Sequence, residues 1–330
     1  MLNDIRHIFI INPAAGKGSE AQPVADKIRD ACDVAGAEYE IYMTKQRGDG
    51  TAYVRQRVSG KKKDEMLRFY ACGGDGTLNE VICGAVNPAL DGSIPGVEVG
   101  CVPIGTGNDF VRNFSTPEFF KDIPKQLLGD AISLDCFAYN ERCGINMVNV
   151  GFDCDVVSKA AELKQKPLIP KNFAYLAGIA VVLRKNLGKS IRIIRSDGSE
   201  FSREFELCAV ANGGFCGGGF HSAPIACLDD GLLDISLMRK VSRTTFLRLV
   251  GSYKEGTHLK SKLGRKVVSY IQDTSVTFQF EEETDVCVDG EIERVKEAVF
   301  RVLPKAVRFV LPVGVSCLCT KEAMERGIVY

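Results

Sequence analysis

Three short glycine-rich loops carry residue types that bind phosphate groups, and the strongest of them is Gly73–Thr77. Its glycines surround Asp75, between a run typical of a strand and a run typical of a helix. Glycine lets the backbone approach a polyphosphate closely, and N–H groups at a helix start bind phosphate oxygens. An aspartate there would repel bare phosphate, so it indicates a nucleotide bound with magnesium, held by Asp75 directly or through water. A tight turn capped by this aspartate is the alternative.

The other two loops also follow strand-like runs. Residues 12–18 are not a Walker A loop, because Ile11 stands where that motif requires its first glycine, and an ordinary strand-to-helix loop is the alternative. Residues 103–110 offer Thr106 to a ligand, and this remains compatible with the alternative that Asn108 or Asp109 caps a helix. Because the carboxyl ends of parallel strands meet at one edge of a sheet, the three loops predict a single crevice.

Two acidic turns lie further along the chain. Asp289, Gly290 and Glu291 place two carboxylates around a glycine, and a carboxylate in a cleft can accept the proton of an alcohol that attacks a phosphoryl group. A hairpin turn is the alternative. Asp229 and Asp230 precede another glycine, a pattern that suits oxygen ligation of a hard cation, with a solvated turn as the alternative.

Alternating strand and helix patterns predict how these loops are positioned. Strand-like runs are separated by helical patterns, the first of which is predicted to begin at Ser19 with Gln22 in a capping box. The predicted strands are His7–Asn12, Glu38–Met43, Leu67–Cys72 and Val97–Pro103. From about Ser133 β-branched runs take over, including a hairpin of Ile191–Arg195 and Arg203–Val210. We therefore expect an α/β domain at residues 1–132, a β-rich domain at 133–313, and a return of 314–330 to the first.

Composition excludes several classes of protein. The 42 basic and 42 acidic residues cancel, which removes a global attraction to nucleic acid. The thirteen cysteines are odd in number and mostly lie in apolar runs, so we expect buried thiols in a reducing compartment, and no zinc site at Cys317 and Cys319. The amino terminus lacks the pattern of a signal peptide.

Contact with a membrane is expected to be peripheral. The longest apolar run, Phe173–Leu183, is about half the ~20 residues of a spanning helix. Basic residues surround it, so it could dock on anionic headgroups, although packing in a core explains the pattern equally well. These basic residues are Lys164, Lys166, Lys171, Arg184, Lys185 and Lys189.

Taken in this order, the motifs resemble the diacylglycerol kinase catalytic-domain family, especially its soluble bacterial lipid kinases, with sphingosine kinases as more distant relatives. The resemblance spans nearly the whole chain. Its segments are Gly73–Thr77 with Leu78-Asn79-Glu80, Gly105–Asp109, Gly217–Gly219 with Ala223-Pro224, Asp229-Asp230-Gly231 and Asp289-Gly290-Glu291. The first loop alone would be ambiguous, since NAD kinases and phosphofructokinases carry a similar one.

The resemblance implies a magnesium-dependent lipid kinase that transfers the γ-phosphoryl group of ATP to the hydroxyl of diacylglycerol or a similar lipid. It implies an α/β nucleotide-binding domain, a β-sandwich second domain and an active site in the interdomain cleft. Such an enzyme would be cytoplasmic, meet its lipid at the inner face of the membrane, bind no nucleic acid and be compatible with a homodimer. A kinase of a soluble acceptor such as NAD is the alternative.

The resemblance also implies roles for individual residues. Glu291 would accept the proton, Asp289 would orient the network, and Asp75 and Asp109 would organise the catalytic Mg2+ through water. A structural Mg2+ would be held by Asp230 with the carbonyls of Cys227 and Leu232. The implied ATP-binding residues are Asn12, Pro13, Ala14, Ala15, Gly16, Thr44, Gly73, Gly74, Asp75, Gly76, Thr77, Leu78, Asn79, Glu80 and Thr106.

Two features depart from the family pattern. Cys227 replaces a polar residue, which is harmless if only its carbonyl binds. Phe215-Cys216 and Phe220-His221 are unusual neighbours of the glycine run and leave the lipid preference open.

Overall fold

The structure is a computed structural model that describes residues 4–16, 18–90, 92–140, 142–152, 154–156, 159 and 188–319. The chain divides into two compact units. The first comprises the described residues of Met1–Ile145, Cys227–Gly231 and Val302–Tyr330, and the second those of Asn146–Ala226 and Leu232–Arg301.

A parallel sheet forms the centre of the first unit, with strands in the order β2-β1-β3-β4. The strands are β1 (Ile5–Ile11), β2 (Tyr39–Met43), β3 (Met66–Gly73) and β4 (Val97–Pro103). β3 and β4 are buried along almost their whole length, as expected for parallel strands covered on both faces. The four predicted strands are confirmed, with ends that differ by at most two residues.

Helices α1 (Ala21–Ala35), α2 (Asp49–Ser59) and α3 (Asp75–Ala85) follow the first three strands. α1 buries Val24, Ile28 and Cys32 on one face and ends at Gly36, whose φ of 64° is left-handed. The predicted start at Ser19 and its capping box are wrong. Glu20 is the N-cap residue and makes no side-chain cap hydrogen bond, because a turn closed by the Gly18 N–H and the Ala15 carbonyl carries the chain past Ser19.

The remainder of the first unit follows β4. It contains two 3-10 helices (Phe110–Asn113 and Pro117–Lys121), α4 (Ile123–Leu127), β5 (Asp130–Tyr139) and β6 (Arg142–Gly144), of which β5 and β6 form an antiparallel pair. The end of β13 (Glu291–Leu311) joins this unit, where Phe309 pairs in parallel with Val99 of β4.

Buried polar groups connect α4 to the sheet of the first unit. The Arg68 guanidinium donates to Glu98 at 2.7 Å and to the carbonyls of Leu127 and Gly129. His7 is fully buried, and its Nδ1 lies 3.0 Å from the Tyr70 hydroxyl. Burial and the positive charge of Arg68 lower the pKa of His7 to about 4, so its imidazole is neutral at pH 7.

Antiparallel strands dominate the second unit. They are β7 (Met147–Gly151), β8 (Lys189–Arg195), β9 (Glu200–Ala211), β10 (Leu233–Arg239), β11 (Val268–Asp273), β12 (Ser275–Val288) and the first part of β13. The order is β11-β10-β9-β7-β12-β13, and β8 also pairs with β9 and β12. The predicted hairpin is confirmed as β8 and β9, and the predicted succession of an α/β region and a β-rich region is also confirmed.

Helices α5 (Arg243–Lys254) and α6 (Gly264–Val267) also belong to the second unit. The Ser242 hydroxyl caps α5 by accepting the Thr245 N–H. Phe246 and Leu249 of α5 share a core cluster with Leu207 and Met238 of the sheet. This packing fixes α5 by burying one apolar face against β9 and β10.

One disulfide contradicts the prediction that the cysteines are thiols. Cys227 and Cys319 are bonded, with Cα atoms 5.2 Å apart, and the other eleven cysteines take no part in a disulfide. A sequence separation of 92 residues gives no sign of this pairing. Only the fold brings the two sulfur atoms together.

Within the part of the chain that the structure describes, no helix has the length and apolar character that a membrane span requires. The run Phe173–Leu183, for which membrane docking and core packing were both left open, lies outside the described residues. So do all the basic residues around it except Lys189. Lys189 begins β8 and forms an ion pair with Asp155 at 3.7 Å.

Candidate active site

The first loop is tied to both of its neighbours in the first unit. The Asn12 N–H donates to the Cys72 carbonyl at 3.0 Å, and its side-chain amide donates to the Thr77 hydroxyl at 3.2 Å. Gly16 has a φ of 63°, and a Cβ on it would lie 2.5 Å from the Ile104 carbonyl oxygen. Residues 12–16 therefore pack directly against the second and third loops.

The second loop connects β3 to α3, with Gly74 as the N-cap residue. A Cβ on Gly73 would collide with the Thr77 side chain, so only glycine allows this turn. The Gly73 carbonyl accepts the N–H groups of Ile104 and Gly105 at 2.9 and 3.1 Å. The N–H groups at the start of α3 thus lie beside the third loop, in the arrangement that binds anions.

The third loop approaches the second so closely that side chains are excluded. A Cβ on Gly105 would lie 2.5 Å from the Gly74 Cα atom. Asn108 has a φ of 51°, and its side-chain amide donates to the Gly105 carbonyl at 2.8 Å. Thr106 is left exposed. The three loops thus form one continuous edge lined by backbone groups.

Two carboxylates lie behind this edge, of which Asp109 is buried and Asp75 is partly buried. Asp75 Oδ1 accepts the Phe110 N–H at 3.1 Å, and Asp109 pairs with Arg112 at 3.2 Å. A Cβ on Gly107 would lie 3.1 Å from Asp75 Oδ2 and 3.6 Å from Asp109 Oδ2, so both carboxylates flank this glycine. Burial raises the pKa of Asp75, the N–H groups of Phe110 and Asp109 oppose this rise, and the Asp109 charge adds to it.

Thr44 joins the same edge from β2. It follows that strand directly, is largely buried, and its N–H donates to the Ile11 carbonyl at 2.9 Å. This bond places Thr44 next to the first loop.

The side chains of Leu78, Asn79 and Glu80, three of the residues predicted to bind ATP, make contacts elsewhere in the first unit. Leu78 lies in the core, and Asn79 donates to the Cys143 carbonyl at 3.0 Å. The two Glu80 carboxylate oxygens accept the N–H groups of Gly48 and Gly50 at 2.8 and 2.9 Å. Glu80 therefore holds the start of α2, and a nucleotide contact from these positions stays a prediction.

The segment Cys227–Gly231 of the first unit is anchored by Asp135, which sequence reasoning missed. Asp135 Oδ2 accepts the Gly231 N–H at 2.7 Å, its Oδ1 accepts the Lys305 N–H at 2.7 Å, and its own N–H donates to the Leu228 carbonyl. Burial raises the pKa of Asp135, and the two N–H donors oppose this rise. An acid between apolar residues in the interior of strand β5 was the available signal. Asp230 belongs to this unit and Leu232 to the second.

Asp289 and Glu291 belong to the second unit, at the turn between β12 and β13. Asp289 and Gly290 have φ values of 45° and 92°, the left-handed geometry of a two-residue hairpin. Asp289 Oδ1 accepts the N–H groups of Asn146 and Met147 at 3.2 and 2.8 Å. The alternative interpretation as a hairpin turn thus has the correct geometry. Asp289 attaches the turn to the start of β7, and Glu291 is the first residue of β13.

The glycine run of the second unit is also held by local bonds. Cys216 and Phe220 exchange two backbone hydrogen bonds around Gly217–Gly219, whose φ values are all positive. The His221 ring stacks on Phe215 with centroids 4.2 Å apart. The two unusual aromatic positions of the sequence are therefore in contact.

Comparison with known proteins identifies similar chains for both regions. A family model described as the diacylglycerol kinase catalytic domain matches residues 6–138, and one described as the YegS C-terminal NAD kinase beta sandwich-like domain matches residues 146–311. The second match covers half of the chain. These matches support an α/β region followed by a β-sandwich-like region.

Individual relatives are similar over most of their length. A Shewanella frigidimarina protein described as "Probable lipid kinase YegS-like" is 26% identical over 302 residues, which cover 89% of this chain and 90% of the relative. A Salmonella gallinarum protein described as "Probable lipid kinase YegS" is 26% identical, with 94% and 98% covered. The crystal structure of a diacylglycerol kinase from Bacillus anthracis has a TM-score of 0.66 at 22% identity, with 94% and 98% covered, and shows the fold alone.

Proposed function

Because the chain belongs to the family that joins a diacylglycerol kinase catalytic domain to a YegS C-terminal domain, we propose that it is an ATP-dependent lipid kinase. The acceptor is the hydroxyl of diacylglycerol or a similar lipid, and the reaction requires magnesium. The lipid kinase descriptions of the relatives support this proposal. The chain meets its lipid by peripheral contact at the inner face of the membrane.

The observation that carries the proposal is the mutual contact of three glycine loops in the first unit. Gly16 approaches Ile104 and Gly105 approaches Gly74 so closely that the loops present mainly backbone groups where they meet. Such an edge suits the phosphates of a nucleotide, which need close backbone approach and N–H donors. The residues present therefore fit ATP.

The paired carboxylates of Asp75 and Asp109 fit a divalent cation. Asp75 and Asp109 flank one glycine, and the raised pKa of Asp75 reflects burial and the neighbouring charge, both of which a cation would offset. Asp75 and Asp109 would organise the catalytic Mg2+ through water. Asp230 and the backbone carbonyls of Cys227 and Leu232 would hold the structural Mg2+. Bound magnesium would neutralise charge that develops on the phosphoryl oxygens.

The chain's own residues divide the remaining tasks. Glu291 accepts the proton of the lipid hydroxyl as that oxygen attacks the phosphoryl group. Asp289 holds the turn before Glu291 through its bonds to Asn146 and Met147. The backbone of the three loops binds the phosphates, and Thr44 and Thr106 complete the nucleotide site.

A kinase of a soluble acceptor is the second candidate. The domain matched at residues 146–311 is described as NAD kinase beta sandwich-like, which favours NAD as the acceptor to test. It differs from the first candidate in the solubility of the phosphorylated product.

The test is phosphorylation with γ-labelled ATP, magnesium and mixed micelles of diacylglycerol, phosphatidylglycerol, sphingosine or undecaprenol, with NAD in a parallel reaction. We expect label in an organic-extractable product, and a loss of about 10²- to 10⁴-fold in Glu291→Gln because the proton acceptor is removed. Glu297→Gln is the matched control, since Glu297 is an exposed carboxylate on the same strand.

Each outcome separates the candidates. Label in a lipid that survives in Glu297→Gln and disappears in Glu291→Gln supports the proposal. Label only in the aqueous phase would replace it by the soluble-acceptor reaction. No labelled product in any reaction would contradict both.

A further inference from the structure

The disulfide joins Cys227 and Cys319, which both belong to the first unit and are separated by 92 positions in the sequence. The chain between them includes Leu232–Arg301 of the second unit. The two sulfur atoms of the disulfide differ in accessibility. Cys227 is fully buried, whereas Cys319 is partly exposed and follows Leu318, which is 45% exposed. A thiol reductant can therefore reach the bond from the Cys319 side.

One end of the bond holds the acidic segment Cys227–Gly231. This segment is also fixed by Asp135, which donates its N–H to the Leu228 carbonyl and accepts the Gly231 N–H. The bond to Asp135 is independent of the disulfide. The acidic segment consequently keeps one anchor when the disulfide opens.

The other end of the bond holds the segment 315–319. Its backbone runs antiparallel to residues 113–115: the Leu318 N–H donates to the Asn113 carbonyl at 2.9 Å, and the Ser115 N–H donates to the Ser316 carbonyl at 2.9 Å. Asn113 ends the 3-10 helix that begins at Phe110, whose N–H donates to Asp75. The disulfide thus bonds the acidic segment to the segment 315–319, which is itself hydrogen-bonded to the end of the 3-10 helix that follows the third glycine loop.

We propose that the Cys227–Cys319 disulfide is a reversible redox site. Through it, the ratio of reduced to oxidised thiols in solution controls the position of the acidic segment. The reductant is a dithiol. The effect of reduction on divalent-cation binding rests on the proposed function, whereas the existence of the redox site does not.

The reaction transfers two electrons and two protons. A reductant thiolate attacks Cys319 Sγ, the sulfur–sulfur bond breaks, and Cys227 Sγ leaves as a thiolate and takes a proton. The second reductant thiol then attacks the mixed disulfide and becomes oxidised, and the released Cys319 thiolate takes the other proton. Oxidation reverses both steps, because Asp135 and the strand pairing at Ser115 each retain one anchor of their segment, so that the two sulfur atoms can meet again although the acidic segment has lost its second anchor.

Cys317 does not compete in this exchange. Burial and the charge of Asp229 raise the pKa of Cys317 to about 12, so its sulfur stays a protonated and weak nucleophile. Cys317 also packs against the core of the first unit and pairs with Phe114. Its position two residues from Cys319 makes it the matched control.

The test uses the full-length protein equilibrated with graded mixtures of reduced and oxidised dithiothreitol, followed by thiol alkylation and peptide mass analysis. We expect Cys227 and Cys319 to become labelled together on reduction and to lose label together on reoxidation. Cys317→Ser should behave as the wild type, while Cys319→Ser should label Cys227 at every ratio. Calorimetric titration with Mg2+ alone should show a Kd raised about fivefold or more on reduction, a shift absent from Cys319→Ser.

Stability gives a second readout. Opening a loop of this length should lower Tm by about 10 °C in the wild type and in Cys317→Ser, and not in Cys319→Ser. Labelling of both cysteines at every ratio, or a thiolate-bound metal released by a chelator and not by dithiothreitol, would overturn the redox site. A Kd unchanged by reduction would overturn the coupling. Failure to phosphorylate any substrate in either redox state would count against the proposed function alone, since the labelling needs no activity.

Discussion

The glycine-loop edge of the first unit and the acidic turn of the second unit are built in different ways. At the edge, backbone approaches backbone, and the closest contacts are those of Gly16 with Ile104 and of Gly105 with Gly74. At the turn, a side chain organises the backbone, because Asp289 accepts two N–H groups from residues 143 and 142 positions earlier in the chain. The first arrangement depends on the absence of side chains, and the second on the presence of one.

This difference predicts different responses to mutation. A site made by close backbone contact tolerates no added carbon atom, since the neighbouring backbone cannot move aside. A site held by a carboxylate should tolerate a replacement that keeps the acceptor oxygen.

The largest effect is expected at Gly105. In Gly105→Ala the new Cβ would lie 2.5 Å from Gly74 Cα, so the second and third loops must separate. Because such a displacement misplaces the nucleotide phosphates, we expect kcat/KM for ATP to fall by about 10²- to 10³-fold, measured by steady-state kinetics. Gly251→Ala is the control, since Gly251 lies in α5 with no atom within 4 Å of its added Cβ. Wild-type kinetics in Gly105→Ala would contradict the backbone contact.

An acid titration compares the buried histidines of the two units. Burial lowers the pKa values of His7 and His258 from 6.5 in the unfolded chain to about 4 in the folded protein. Between pH 4 and pH 6.5 the unfolded chain therefore binds more protons than the folded protein. The stability that each neutral imidazole confers is present above pH 6.5 and is lost as pH falls to 4, by about 3 kcal/mol per histidine at pH 4.

Urea unfolding from pH 7 to 4 checks this expectation. His7→Gln should flatten the pH profile by removing one titration, and His258→Gln should do so by removing the other. Profiles that stay parallel to the wild type in both variants would show that neither histidine is buried as described.

A smaller effect is expected at Asp289. Asp289→Ala removes the acceptor of two N–H groups and places alanine at a φ of 45°, so we expect a loss of about 1–3 kcal/mol in the free energy of unfolding. Asp289→Asn keeps an acceptor oxygen and tolerates the left-handed conformation, and should lose less than about 1 kcal/mol. Urea unfolding measures both, and equal losses would mean that the side-chain bonds do not hold the turn.

The sequence predicted much of the fold because strand and helix patterns are local. The strands of the parallel sheet and the β8–β9 hairpin were correct within a few residues. The start of α1 was wrong, because a turn at Gly18 extends the loop past Ser19. The roles of Glu80 and Asp135 were missed, because both carboxylates bind backbone N–H groups that are distant in sequence.

By itself, the sequence determined where strands end and where glycine is required, since hydrophobic period and turn chemistry act over a few residues. It therefore indicated three loops at one edge and the family they resemble. Only the tertiary structure decided that Gly105 contacts Gly74, that Asp289 binds the start of β7, and that Cys227 bonds to Cys319. These contacts join positions tens to hundreds of residues apart, and burial of a common core is what brings them together.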